Sequence, residues 1–131
     1  VIDLIKMLKV SSENMEVLHR NIYGLDYFPT HSQVGSYYEM IQAMKDDIIE
    51  ISIGLGENEP SMEECLNYYV ALEVKDRNSK ESFIAVKVAF ENIIAQINRI
   101  KDVPADVINK LQEYQETLRK ETTYKLDRAI R

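Results

Sequence analysis

The stretch Thr30-His31-Ser32-Gln33-Val34-Gly35-Ser36-Tyr37-Tyr38-Glu39-Met40-Ile41-Gln42-Ala43-Met44-Lys45-Asp46-Asp47-Ile48-Ile49-Glu50-Ile51-Ser52-Ile53-Gly54-Leu55-Gly56 decides the fold. Within it Val34, Tyr37, Ile41, Met44, Ile48, Ile51 and Leu55 recur at alternating spacings of three and four, which places them on one face of an α-helix. Thr30 to Gln33 has the form of a capping box, in which a hydroxyl and a side-chain amide satisfy the free amides of a first turn, so the helix is predicted to start there. Gly54 and Gly56 end it. A helix this long with a single apolar stripe needs other helices to cover that stripe.

The flanking sequence supplies them. Leu4, Leu8, Met15, Leu18 and Ile22 form a matching stripe, with Ser11 in the one polar slot, and predict a first helix running to about Tyr23 and stopped by Gly24. Ser61-Met62-Glu63-Glu64 offers a second capping box after Pro60, and Leu66, Tyr69, Val70 and Leu72 follow before a charged stretch at Lys75 to Lys80, which predicts a shorter helix. Phe83, Val86, Phe90, Ile93, Ile97 and Ile100 make a third long stripe, capped by Asn78 or Ser79. Pro104 suits the first turn of a last helix, whose stripe of Val107, Leu111, Tyr114 and Leu118 weakens beyond Glu121, so that helix is predicted to outrun its buried part. Four long amphipathic helices and a short one in the middle connection give an all-α, four-helix bundle, with a connection able to cross over it.

Length and composition agree with one domain spanning residues 1–131: 45% of residues are apolar and 29% charged, with four Gly and three Pro. The formal charge is -6 and no Lys/Arg cluster stands at either end, so direct nucleic-acid binding is not expected. No apolar run approaches a membrane span and the start lacks a signal-peptide pattern, so a soluble protein is expected. The single cysteine, Cys65, sits in an apolar periodic segment and reads as a packing residue in a reducing, cytoplasmic setting.

Two histidines, His19 and His31, flank the predicted loop between the first two helices. Asp46 and Glu50 lie four apart on one face of the second helix, turned away from its apolar stripe, where two carboxylates can share a metal. Imidazole and carboxylate together suit iron or zinc. Fifteen residues of continuous helix separate His31 from Asp46 by about 22 Å, so no single ion can bind both within one chain. Two antiparallel copies of the helix about a two-fold axis would set the histidine end of one against the acids of the other and give two equivalent sites.

The spacing of His19, His31, Asp46 and Glu50 resembles the ferroxidase centre of the Dps family of mini-ferritins, and His19 through Phe28 resembles that family's run from first histidine through glycine to an aromatic pair. The resemblance is strongest from Leu18 to Gly56 and architectural in the third and fourth helices. It implies a ferritin-like four-helix bundle with the short extra helix in the connection between the second and third long helices, assembled as a homo-oligomer, a dodecamer built from two-fold dimers. It implies Fe(II) bound at a site shared between subunits, with His19 and His31 from one chain and Asp46 and Glu50 from the partner, Glu50 bridging two irons. Hydrogen peroxide or oxygen would oxidise the iron to Fe(III), and mineral would collect in the cage, protecting against oxidative damage. Asp102 and Asp106 would line the entry pores of such a cage, or else be ordinary acids at a helix start. Departures are plain: Arg20 stands where the family has Trp, and Ser32, Gly35 and Ser36 stand where it has carboxylates. Tyr23 or Tyr27 could replace the Trp as an electron donor.

Two other readings compete. Glu16 and His19 form a Glu-x-x-His pair of the kind used inside single di-iron subunits, but the second such pair that this needs is absent. A Dps-like cage or bundle without ferroxidase activity, kept for a structural or binding role, also accommodates the missing Trp and carboxylates.

Overall fold

The computed structural model describes residues 1–131 and is all-helical: α1 (Ile2–Arg20), α2 (Tyr27–Gly54), α3 (Met62–Leu66), α4 (Ser79–Asn98), α5 (Ala105–Lys120), a π-helical segment (Glu121–Leu126) and α6 (Asp127–Ile130). The stripes read from sequence form one core. Leu4, Leu8, Met15 and Leu18 from α1 meet Val34, Tyr37, Ile41, Met44 and Ile48 from α2, Val86, Phe90 and Ile93 from α4, and Leu111 and Leu118 from α5. Tyr37 packs edge-on against Phe90, with ring centroids 5.2 Å apart. No helix is long and apolar enough to cross a membrane.

α2 starts earlier than the sequence predicts. Gly24, at φ +114°, reverses the chain, and the Tyr27 amide donates to its carbonyl at 3.1 Å while the Thr30 amide donates to Asp26. Helical bonding is thus under way before Thr30, and Pro29 falls in the first turn, where a missing amide costs nothing. The capping box expected at Thr30 does not form. Its hydroxyl donates instead to Ser79 Oγ at 2.8 Å, joining the start of α2 to the start of α4. α1 in turn stops at Arg20, short of Tyr23, with the Asn21 side chain donating to the Val17 carbonyl at 2.8 Å.

The connection from α2 to α4 crosses over α1 and is fastened to it at three places. Lys9 Nζ donates to Glu59 and to the Pro60 carbonyl, both at 2.7 Å; the Leu72 amide donates to Asn14 Oδ1 at 2.8 Å; and Arg77 exchanges backbone bonds with Asn21 and Tyr23. α3 is only five residues long, because the Leu72 amide is committed to Asn14 and Val70 stands in solvent, so the Tyr69–Leu72 part of the expected short helix is irregular. Ser61 does cap α3, accepting from the Glu64 amide at 3.2 Å. Asn78, the first of the two candidates, caps α4 in a full capping box with Glu81.

At the far end Pro104 is the residue before α5 rather than part of its first turn. The last helix also stays buried past Glu121, against expectation: Thr122 and Leu126 are both covered. The wider π turn shifts the helix phase, so Leu118, Thr122 and Leu126, spaced by four, keep facing the core. There Tyr37 donates its hydroxyl to Glu121 Oε2 at 2.9 Å, a bond reaching from the middle of α2 to the π segment.

Two buried hydroxyls therefore have opposite consequences. Tyr37→Phe removes one of the two partners of the largely buried Glu121, whose other oxygen stays with Lys125, and should lower stability by about 1 kcal/mol. Ser82 Oγ is buried with no partner, so Ser82→Ala should raise stability by up to about 1 kcal/mol. Urea unfolding midpoints check both, and equal shifts of the same sign would contradict the assignment.

Candidate metal centre

α1 and α2 run antiparallel and pack along their length, which brings His19 at the end of one beside His31 near the start of the other. The two imidazoles stack, centroids 4.0 Å apart and planes 19° from parallel, and Tyr27 stacks on the other face of His31 at 5.1 Å. His31 Nδ1 lies 2.9 Å from the His19 carbonyl oxygen, which can only accept, so Nδ1 carries a proton, and in the neutral ring the lone pair is on Nε2. That tautomer is the one a metal ligand needs.

His19 owes its place to Gly35. A Cβ at position 35 would lie 2.9 Å from His19 Nε2, so any larger residue would displace the ring. Burial, then His31 and the Arg20 guanidinium, hold the His19 imidazole pKa below its ordinary 6.5, with Glu16 and Glu39 opposing in part. His19 is therefore neutral at neutral pH.

Asp46 and Glu50 are both exposed, on the face of α2 away from the core, as their spacing predicts. α2 is unbroken between His31 and Asp46, so the rise of about 22 Å along the axis holds. No three His, Cys, Asp or Glu side chains come together within the single chain. Glu16, three residues before His19, is paired with Arg20, and its second carboxylate oxygen lies 3.5 Å from the Tyr38 hydroxyl. Asp47 points the other way, accepting from Tyr114 and lying 3.9 Å from Lys110.

Of the two tyrosines singled out in the sequence, Tyr27 joins the stack, while Tyr23 is exposed. The packing of Tyr27 on His31 was readable from their spacing of four, once the helix is known to start at Tyr27. The dependence of His19 on Gly35 was not, because it joins two helices. Asp106 lies in the first turn of α5 and Asp102 in the loop before it, both exposed. Cys65 is fully buried, and burial raises its thiol pKa, in keeping with a packing role.

No family model and no curated protein matches the chain. Among solved structures, the crystal structure of antigen TpF1 from Treponema pallidum superposes with a TM-score of 0.87, covering 98% of this chain and 87% of that one at 21% identity. The chain shares that protein's helical fold.

The depressed His19 pKa has a measurable consequence. As pH falls below 6.5 the unfolded chain takes up this proton before the folded one, so stability falls until the folded pKa is passed, and His19 adds no pH dependence well above 6.5. Urea midpoints should therefore drop less between pH 7.5 and 5 in His19→Gln than in wild type. Parallel curves for the two proteins would contradict a depressed pKa.

Proposed function

We propose that the chain is an iron-oxidising and iron-storing mini-ferritin of the Dps type: a ferritin-like four-helix bundle, acting in the cytoplasm as a homo-oligomer built from two-fold dimers. The observation that carries this reading is the stacked His19–His31 pair, with Nδ1 of His31 occupied by a hydrogen bond, at the start of a helix whose first exposed candidate acid, Asp46, lies about 22 Å from His31. Neither half is a metal site alone. Both become one when a second α2 runs antiparallel past the first.

Rings 4.0 Å apart and nearly parallel do not direct their in-plane lone pairs to one point. They suit two ions about 3.5–4 Å apart, one imidazole to each, with the partner's carboxylates on the other side. Fe(II) is the substrate. Asp46 of the partner subunit and Glu50 of the partner subunit neutralise the added charge, Glu50 spanning the two ions. Each ferrous ion gives one electron to hydrogen peroxide, whose O–O bond breaks and takes up two protons to leave two waters. Oxygen is the other oxidant of this reading, and the ferric product hydrolyses and collects inside a twelve-chain cage. Asp102 and Asp106, exposed at the α4–α5 end, would draw Fe(II) to its pores. A cage of chains each at -6 repels phosphate, so DNA is not a partner in this reading.

Sharing is tested by complementation. One variant carries His19→Ala and His31→Ala, the other Asp46→Ala and Glu50→Ala, and each alone should oxidise Fe(II) no faster than buffer. In refolded mixtures half the random dimers are mixed, and each has one complete site of two, so activity should return to about a quarter of wild type. A flat result at every ratio, with co-assembly verified, would rule out the shared site.

A further inference from the structure

The geometry points to Glu16 as an additional carboxylate ligand of the iron site, held in reserve by Arg20 until a divalent cation displaces the guanidinium. This rests on the reading of His19 as an iron ligand. The antiparallel packing of α1 and α2 forms rungs: His19 faces Gly35, and one helical turn deeper Glu16 faces Tyr38. Glu16 and His19, three apart, share a face of α1, so the carboxylate and the imidazole border the same stretch of groove.

That stretch is open for a chemical reason. At the level of His19 the second helix presents Gly35, and its nearest acid along that face is Glu39, one turn further on. Both Glu16 of α1 and Glu39 of α2 act on the His19 imidazole as negative charges, Glu16 the more strongly. Glu16 is not spent on a buried structural contact. One oxygen is bound by Arg20, a half-exposed side chain one turn further along the same helix, and the other sits 3.5 Å from a tyrosine hydroxyl. An exposed pair four apart on a helix contributes far less than a carboxylate–metal bond, so a divalent ion at His19 outcompetes the guanidinium. Arg20 then swings into solvent, and Tyr38 continues to orient the carboxylate.

The arrangement gives Arg20 and Glu16 opposite effects on metal affinity, which a purely structural ion pair would not have. Co2+ serves as a non-oxidising probe, titrated calorimetrically into the assembled protein, with helical content checked by circular dichroism. Glu16→Gln should weaken the binding about tenfold or more, a loss seen even for groups that only support a ligand. Arg20→Ala should tighten it about two-fold, the value of the exposed pair it removes. The double variant should bind no more tightly than Glu16→Gln alone. Wild-type affinity in Glu16→Gln, or weaker binding in Arg20→Ala, overturns the proposal. Asp46→Ala with Glu50→Ala in the same titration separates the two readings: its loss of binding beside an unaffected Glu16→Gln leaves the shared site standing and removes Glu16. Absence of Co2+ binding in wild type removes both.

Discussion

An α-helix that stays hydrogen-bonded from Tyr27 to Gly54 cannot bring its own ends together, and everything proposed for this protein follows from that rigidity. The histidine end of α2 is fixed by the loop that returns the chain from α1, and the acidic middle is fixed by the helix rise. The core stripe of Val34, Tyr37, Ile41, Met44 and Ile48 sets which face of α2 looks inward, and so turns Asp46 and Glu50 outward. In the proposed reading a chain with this helix carries half a metal site at each of two places, and two-fold symmetry joins the halves.

The rest of the fold holds that helix and its histidines still. The crossover is bound to α1 through Lys9, Asn14 and Asn21, and Thr30 joins the start of α2 to Ser79 at the start of α4. The Tyr37–Glu121 bond carries the same restraint to the last helix. Fixed backbones on both sides of the His19–His31 stack mean that, under the proposed function, the imidazoles would not have to be ordered when iron arrives, which would lower the entropic cost of binding. Gly35 shows how local this precision is: the ring fits because one Cβ is missing.

Most of the architecture was legible because apolar residues at spacings of three and four identify helices without knowledge of their partners. The errors lie where local signals compete. Thr30 to Gln33 matches a capping box, yet Gly24 turns the chain early enough for Asp26 to start the helix, and no local pattern ranks one start over the other. The last helix looked unburied beyond Glu121 because a π turn changes the phase and one member of its stripe is Thr122. At the site, the outward direction of Asp46 and Glu50 and their separation from His31 could be read along one helix. The ring stack, the His31 tautomer and the Gly35 gap could not, since each depends on how α1 lies against α2.

The claim that the working unit needs more than one chain is met most directly by the mass of the particle in solution. Light scattering on the metal-free protein at micromolar concentration should give about twelve times the 15.2 kDa chain, and no less than twice that mass. The same measurement after aerobic addition of Fe(II) should give a heavier particle of unchanged outer size. A single 15.2 kDa species under both conditions would contradict the account, because one unbroken α2 cannot close the site alone.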